Sequence, residues 1–222
     1  TLKDVPENGL DDAIQELLKT MIKNHKKILF NGNGYTDEWV EEAARRGLYN
    51  LKSLPDAVPQ FIADKNVELF TKHHIFSKDE IYSRYEILLD NYCKAVSIEA
   101  RTMCQMACRD ILPAIESYAA SLASAAAAKT AVVPAAGCRF EKKTVALLSG
   151  LADAIDESIE SLASALAEAS ARGAIAAQAG GIRDEILPRM DALRKSVDEA
   201  ETLTSSEYWP YPSYGELLFG VR

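Results

Sequence analysis

Apolar residues in this chain recur at every third or fourth position, which is the spacing of one face of an α-helix. The longest such run begins after Ser77, which has Glu80 three residues further on, the spacing of an N-terminal capping box. From Leu88 to Ala125 the apolar positions recur about every 3.7 residues, close to the repeat of a nearly straight helix. The pattern predicts one long helix, kinked or broken just before Pro113, because proline cannot donate a backbone hydrogen bond.

The same spacing predicts two more long helices, Val145–Gly173 and about Ile182–Leu203. We expect the pair Gly180-Gly181 to separate the last of these from the residues before it. The segments 109–115 and 183–190 both contain the run Ile-Leu-Pro. This repeat favours two kinked helices lying side by side, and a chance resemblance is the alternative.

Shorter helical patterns precede Ser77. They predict an amphipathic helix over 10–29, a tight turn at 31–34, a helix over 37–46 capped by Thr36 and stopped by Gly47, a helix after Ser53 and a helix over 64–73. No alternation typical of strands extends over a comparable length. The predicted class is therefore all-α, with short helices at the base plus a long kinked antiparallel helical bundle.

Alanine is concentrated in one part of the chain, with ten alanines among residues 119–136. Alanine has the highest helix propensity and a very small side chain, so it suits a place where two helices approach closely. We expect residues from about 119 to 180 to form an alanine-rich arm of the bundle.

The last segment, 208–222, is too apolar for a solvated terminus and too rich in proline to continue a helix. Ser213 and Glu216 again have capping-box spacing, which predicts a short final helix. We interpret the segment as a docking tail that fits a groove on this chain or on a partner. Its candidate docking residues are Trp209, Pro210, Tyr214, Leu217, Leu218 and Phe219.

Composition narrows the function classes. The 222 residues carry a formal net charge of −8, and no stripe of Lys and Arg appears, which argues against nucleic acid as a partner. The longest stretch without a charged residue, 117–128, is shorter than the roughly 20 residues that a membrane helix needs, so no membrane span is expected. No secretory signal pattern opens the chain, which favours the cytoplasm.

Catalytic patterns are missing from the sequence. Residues 31–34 lack the glycine and lysine spacing of a phosphate-binding loop, and His73-His74 belongs to no metal-binding helix motif. We interpret the four cysteines as small buried hydrophobes, and Glu80 with Arg84 as a pair across one helical turn. No catalytic, cofactor-binding or metal-binding residue is assigned.

Several short segments of the sequence nevertheless resemble a known family. They resemble, in the same order, the C-terminal region of type III glutamine synthetases, the long bacterial form of the enzyme: NGNGYTDEWV (31–40), RGL (46–48), NLK (50–52), KNVELF (65–70), SRYEI (83–87), ILPA (111–114) and WPYPSY (209–214). The resemblance covers about 10–219 and is weakest in the alanine-rich arm.

The resemblance implies that the parent enzyme joins ammonia to glutamate with ATP and Mg²⁺, through a γ-glutamyl phosphate, in ring-shaped homo-oligomers. It also implies a catalytic domain upstream of Thr1. Residues 1–30 would then hold a helix flanking or ending the catalytic core, and residues 31–222 the C-terminal helical domain. The family's metal-binding and phosphate-binding motifs do not occur in this sequence, so none of its catalytic residues carries over.

These observations favour a noncatalytic structural or assembly domain of glutamine synthetase, whose partners are the upstream catalytic domain and the other subunits. A first residue of Thr rather than Met fits a piece of a longer protein. The alternative is a free-standing all-helical module that binds another protein through its arm and tail. Ligase activity in this piece alone is not expected.

Overall fold

The computed structural model describes Pro6 and residues 9–220, and every regular element within that part of the chain is helical. This confirms the all-α class. The α-helices are α1 (Leu10–Asn24), α2 (Asp37–Arg45), α3 (Leu54–Ala57), α4 (Asp64–Lys72), α5 (Lys78–Met106), α6 (Leu112–Val132), α7 (Arg139–Ser170), α8 (Ile175–Gly181), α9 (Leu187–Leu203) and α10 (Tyr214–Phe219). Short 3₁₀ turns cover Lys26–Ile28 and Val58–Ile62, and two π-helical segments are π1 (Ala107–Ile111) and π2 (Ile182–Ile186).

The chain divides into two compact units, 1–52 and 53–222. In the first unit, α1 and α2 are joined by a loop that Arg46 organises. The Arg46 guanidinium donates hydrogen bonds to the carbonyl oxygens of Lys27, at 3.3 Å, and Leu29, at 2.6 Å, and lies 5.6 Å from the centre of the Trp39 ring. No residue of α1 is buried, and Ala43 is the one buried residue of α2. This unit therefore has little core of its own.

The second unit is the predicted antiparallel bundle. α5, π1 and α6 form one continuous helical segment, α7 returns against it after a short turn, and α8, π2 and α9 form another continuous segment packed on α7. All three segments contribute fully buried side chains, among them Leu89, Ile115, Leu148, Ile155, Leu162, Ile186 and Leu193. The sequence periodicity placed Leu148, Ile155, Leu162, Ile186 and Leu193 on the inner faces correctly. In the first segment it gave Leu88 and Ala114, each one residue before the side chain that is buried, Leu89 and Ile115.

The two Ile-Leu-Pro runs occupy equivalent places in the fold. Leu112 donates its backbone N–H to the carbonyl of Ala107, and Leu187 donates to the carbonyl of Ile182, each five residues back instead of four. Both π segments end directly before Leu-Pro, and both pack against α7. The wider turn relieves the clash that a proline ring makes with the carbonyl four residues before it. The predicted kink at Pro113 is thus a π segment inside a continuous helix.

Gly180-Gly181 does not break the helix, so this prediction was wrong. α8 begins at Ile175, and the backbone of Gly181 is helical, with φ −60° and ψ −39°. Glycine permits a break but does not enforce one. A Cβ at Gly181 would require the guanidinium of Arg172 to shift.

Some details differ from the sequence predictions. The second long helix starts at Arg139, six residues earlier than predicted, after Cys138 in the left-handed region with φ +43°. Thr36 occupies the N-cap position of α2, but its hydroxyl donates to the carbonyl of Asn33 instead of capping the helix. In the arm, Ala119 is buried, whereas most α6 alanines further along the helix face outward, so close packing explains only part of the alanine content.

One continuous stretch among the described residues, Lys78–Val132, is long and apolar enough by length and composition to cross a membrane. Its most apolar window has a mean hydropathy of 1.2 and is 22% buried. Packed helices of proteins that never enter a membrane pass the same test. The expectation that the chain has no membrane span remains a prediction.

Candidate docking surfaces

The first half of the predicted tail packs on its own chain. The ring of Tyr208 lies against that of Tyr118 in a tilted arrangement, with ring centres 5.2 Å apart, and Trp209 and Tyr211 pack against the core of the bundle. The Tyr211 hydroxyl donates a hydrogen bond of 2.9 Å to the carboxylate of Asp110, in π1. Burial, together with this hydrogen bond, raises the pKa of Tyr211. Tyr211 therefore fastens the tail to the first π segment.

The second half of the tail is the predicted short helix, and it is exposed. The Ser213 hydroxyl accepts from the backbone N–H of Glu216, while the Glu216 carboxylate accepts from the backbone N–H of Ser213 at 2.7 Å. This complete capping box explains why six residues form a helix. The side chains that it presents to solvent are large, with exposed fractions of 65% for Leu217, 72% for Leu218 and 80% for Phe219.

The six predicted docking residues thus fall into two groups. Trp209 packs against the core of the second unit, whereas Pro210 and Tyr214 are exposed together with the apolar residues of α10. A helix with three exposed large apolar residues in sequence is a surface suited to another protein segment. Docking of this surface stays a prediction.

Beside the tail lies a groove of about 620 Å³ that sequence reasoning missed. One wall comes from α5 and π1 and the other from α9, and Trp209 and Tyr211 close it at the tail. Its buried lining residues are Ala107, Ile111 and Leu193, and Met103, Met106 and Met190 line it with partly exposed side chains. The sequence contains the residues but gives no signal for the groove, because its walls are about 80 to 100 residues apart in the chain.

The helix α1 carries another uncovered apolar face. Leu17, Leu18, Met21 and Ile22 have exposed fractions from 38% to 58%, and Ile28 and Leu29 beyond the helix are exposed as well. The same helix carries two basic residues, Lys19 and Lys23. The predicted amphipathic helix is therefore present. Within the described part of its unit, its apolar face is not buried against a core.

Polar groups gather where π2 meets α3. Arg183 forms ion pairs with Asp56 and Asp184, and these partners, Asp184 first, raise its pKa. The hydroxyl of Tyr92 is buried nearby with no hydrogen-bond partner within the described part of the chain, and burial raises its pKa. Since the cluster pairs its own charges and opens on no cavity among those described, we interpret it as a junction that holds the short base helices on the bundle.

The remaining candidate residues take structural positions. Glu80 accepts hydrogen bonds from the backbone and hydroxyl of Ser77, which lower its pKa, and no ion pair joins it to Arg84 among the described residues. Arg84 instead lies 4.5 Å from the centre of the Phe76 ring. The predicted pair is therefore a longer-range attraction and not an ion pair. The charge of Arg84 still contributes to the lowered pKa of Glu80, while the capping box and the Phe76 ring hold the two side chains.

The cysteines are only partly as predicted. Cys93 and Cys138 are buried, Cys104 is intermediate and Cys108 is exposed, so the prediction of a buried role was wrong for Cys108. Cys108 lies in π1, where the wider turn changes which residues face outward. Within the part of the chain that the structure describes, no three His, Cys, Asp or Glu side chains are grouped closely enough to hold a metal ion.

The fold and its surfaces define an all-helical domain that presents apolar surfaces next to a docked aromatic tail. Residues 13–130, more than half of the chain, match the family described as glutamine synthetase C-terminal domain. This chain belongs to that family. The match confirms the resemblance that the short sequence segments indicated.

Individual relatives agree with the family match. A glutamine synthetase of Butyrivibrio fibrisolvens is 42% identical over 96% of this chain, a type-3 glutamine synthetase of Dictyostelium discoideum is 28% identical over 98%, and a glutamine synthetase of Bacteroides fragilis is 28% identical over 95%. The aligned region spans 30% of the length of each relative.

Proposed function

We propose that this chain is the noncatalytic C-terminal helical domain of a glutamine synthetase, with a structural or assembly role. The proposal rests on how the sequences align: the alignments cover nearly all of this chain but 30% of the length of each relative. The parent enzyme would be an ATP-dependent glutamate–ammonia ligase of glutamine biosynthesis, working in the cytoplasm as a homo-oligomer.

The proposal places ATP and Mg²⁺ in the upstream catalytic domain. Mg²⁺ in such a reaction needs convergent carboxylates. The described residues provide no group of acidic, histidine or cysteine side chains for an ion, so they do not fit this metal, and we derive no catalytic step from this chain. Its partners would be the upstream domain and neighbouring subunits.

The exposed apolar surfaces support a structural role for this chain beside a separate catalytic domain. Residues 1–30, including α1, would flank or end the catalytic core, and the uncovered apolar face of α1 suits that position. Residues 31–222 would form the C-terminal domain, with an alanine-rich arm at about 119–180 and a tail at 208–222. The apolar face of α10 would then dock on the catalytic part of its own or a neighbouring subunit.

The longer enzyme that carries this chain provides the test. Replacing Leu217, Leu218 and Phe219 together by Ser should reduce the oligomer mass in solution and the γ-glutamyl transfer rate, without loss of helix content. The matched control replaces Val132, Val133 and Phe140 by Ser, three residues of the arm that are exposed to a similar degree. Unchanged mass and activity in the α10 variant would count against docking by this helix. The isolated chain should show no transfer activity.

The alternative is a free-standing helical interaction module, and exposure of α10 fits that function too. The gene separates the two. A reading frame that continues upstream of Thr1 for several hundred codons with ligase motifs supports the enzyme domain. A stop codon and ribosome-binding site directly before Thr1 support the module.

A further inference from the structure

The groove beside the tail has the dimensions of a receptor for a helix. α9 and the α5–π1–α6 segment both lie against α7, which runs antiparallel to each, so the two walls are parallel to one another. Lining residues occur at successive turns of both walls, from Ile98 to Ile111 on one side and from Met190 to Glu201 on the other. At 1.5 Å per residue the second wall is about 16 Å long, or about three helical turns. This elongated shape fits a helix better than a compact metabolite.

The groove has a buried apolar floor of Ala107, Ile111 and Leu193, and adaptable apolar side chains lie above it. Met103, Met106 and Met190 contribute unbranched side chains that can adjust to an apolar surface of irregular shape. Ile98 stands at the edge and is 63% exposed, so its side chain is available for contact. Trp209 and Tyr211 provide a rigid aromatic end wall, since the tail is fixed through Asp110.

The rim of the groove is acidic. Four carboxylate side chains line it, and the one basic lining residue, Arg194, donates to both carboxylate oxygens of Asp198 at 2.7 and 2.9 Å. The other three carboxylates, of Glu99, Asp191 and Glu201, form no ion pair among the described residues, although the charge of Glu201 also helps to raise the pKa of Arg194. Such a rim favours a cationic partner and disfavours an anionic one.

The charge of the rim also argues against α10 as the occupant. The only charged residue of α10 is Glu216, whose carboxylate would add to the negative charge around the groove. A helix with an apolar stripe and flanking Lys or Arg residues satisfies both the floor and the rim. This chemistry differs from that of the exposed α10 surface, so the two surfaces serve different contacts.

We propose that the groove between α5–π1 and α9 binds an amphipathic helix of a partner protein, about three turns long, whose apolar face is flanked by basic residues. The apolar face contacts the methionine side chains and Trp209, while the basic flanks lie beside Glu99, Asp191 and Glu201. The proposal is independent of whether α10 docks on a catalytic domain.

A peptide titration of the 222-residue chain tests this directly. The probe is an amphipathic peptide of about 14 residues built from Leu and Lys, and its counterpart carries Glu in place of Lys. In a Trp39→Phe background Trp209 is the only tryptophan, so its fluorescence reports on the groove. The Lys peptide should shift the Trp209 emission to shorter wavelength and bind at least about tenfold more tightly than the Glu peptide. No shift, or equal binding of both peptides, would overturn the proposal.

Matched variants separate the groove from general attraction to an acidic protein. Ile98→Ser should weaken the Lys peptide by about tenfold, whereas Ile87→Ser, on the same helix and 56% exposed, should not. Asp191→Lys should weaken binding at low salt, whereas the same charge change at exposed Asp153 on α7 should have little effect. Equal losses in a variant and its control would show binding elsewhere. Self-association that Ile98→Ser abolishes would instead make a second copy the occupant and overturn the proposal.

Discussion

At the scale of single residues, Glu141 has an unusual position because it is an acidic side chain buried near the start of α7. Its carboxylate accepts a hydrogen bond from the ammonium group of Lys129 near the end of α6, which lowers the pKa of Glu141 and raises that of Lys129. A buried carboxylate without such a partner would be costly. The pair therefore joins the two helices of the arm next to the turn between them.

The pair predicts a specific dependence of stability on pH. Because folding lowers the pKa of Glu141 below its usual value of 4.5, the stabilisation is present above about pH 4.5 and is lost as the pH falls through the lowered value. Glu141→Gln should melt at a lower temperature than the unaltered chain at pH 7, and the difference should shrink as the pH falls below 4.5 and through the lowered pKa. Glu157→Gln, exposed on the same helix, is the control. A difference that stays constant over this range would contradict the role of the pair.

Tyr211 makes the second prediction at this scale. Tyr211→Phe removes the hydroxyl that donates to Asp110 and should destabilise the docked part of the tail by about 1 kcal/mol. Hydrogen exchange of the backbone amides at 208–213 should therefore become faster. Tyr214→Phe removes the same atom from a ring that is 82% exposed, and exchange there should be unchanged. Equal rates in both variants would show that the hydrogen bond does not hold the tail.

At the scale of elements, the two π segments show how an extra residue is accommodated. A π turn contains one residue more than an α turn. Over about ten turns, one additional residue lengthens the mean repeat from about 3.6 to about 3.7 residues, which is the repeat of the apolar positions from 88 to 125. The helix therefore keeps one buried face on both sides of Pro113, with Ala100 and Ile115 both fully buried.

This account predicts where a deletion is tolerated. Deleting the exposed Cys108 together with Pro113→Ala should convert π1 into a regular α turn and leave Ile115 facing the core, so the melting temperature should fall by no more than a few degrees. Deleting exposed Arg101, in the regular part of α5, rotates all later residues by about 100° and should prevent native packing. Circular dichroism and thermal melting compare the two. Similar damage from both deletions would contradict the assignment of the extra residue to π1.

Periodicity was sufficient to predict the long helices, the bundle and both capping boxes, since all depend on neighbours within a few positions. It located the irregular helical turns before Pro113 and Pro188. It did not show that they are π turns, because a π turn and a kink leave the same apolar pattern. The groove and the position of Tyr211 could not be predicted, since they depend on contacts between residues about 80 to 100 positions apart. The exposure of α10 could not be predicted either, because an apolar segment can be buried against its own chain or against a partner.

At the scale of the whole molecule, the distribution of buried residues predicts that the two units differ in stability. The contiguous hydrophobic core runs from Val58 to Ala200, entirely within the second unit, whereas Ala43 is the one buried residue among the described residues of the first. A fragment of 53–222 should therefore unfold cooperatively, with a melting temperature within a few degrees of that of the 222-residue chain. A fragment of 9–52 should show no cooperative transition, because so small a unit with one buried residue buries too little apolar surface. Removing 187–222 is the control: it takes away α9 with Leu193 and Ala200, and should abolish cooperative unfolding of the bundle. A large loss of melting temperature in the 53–222 fragment would mean that the first unit contributes to the core of the second.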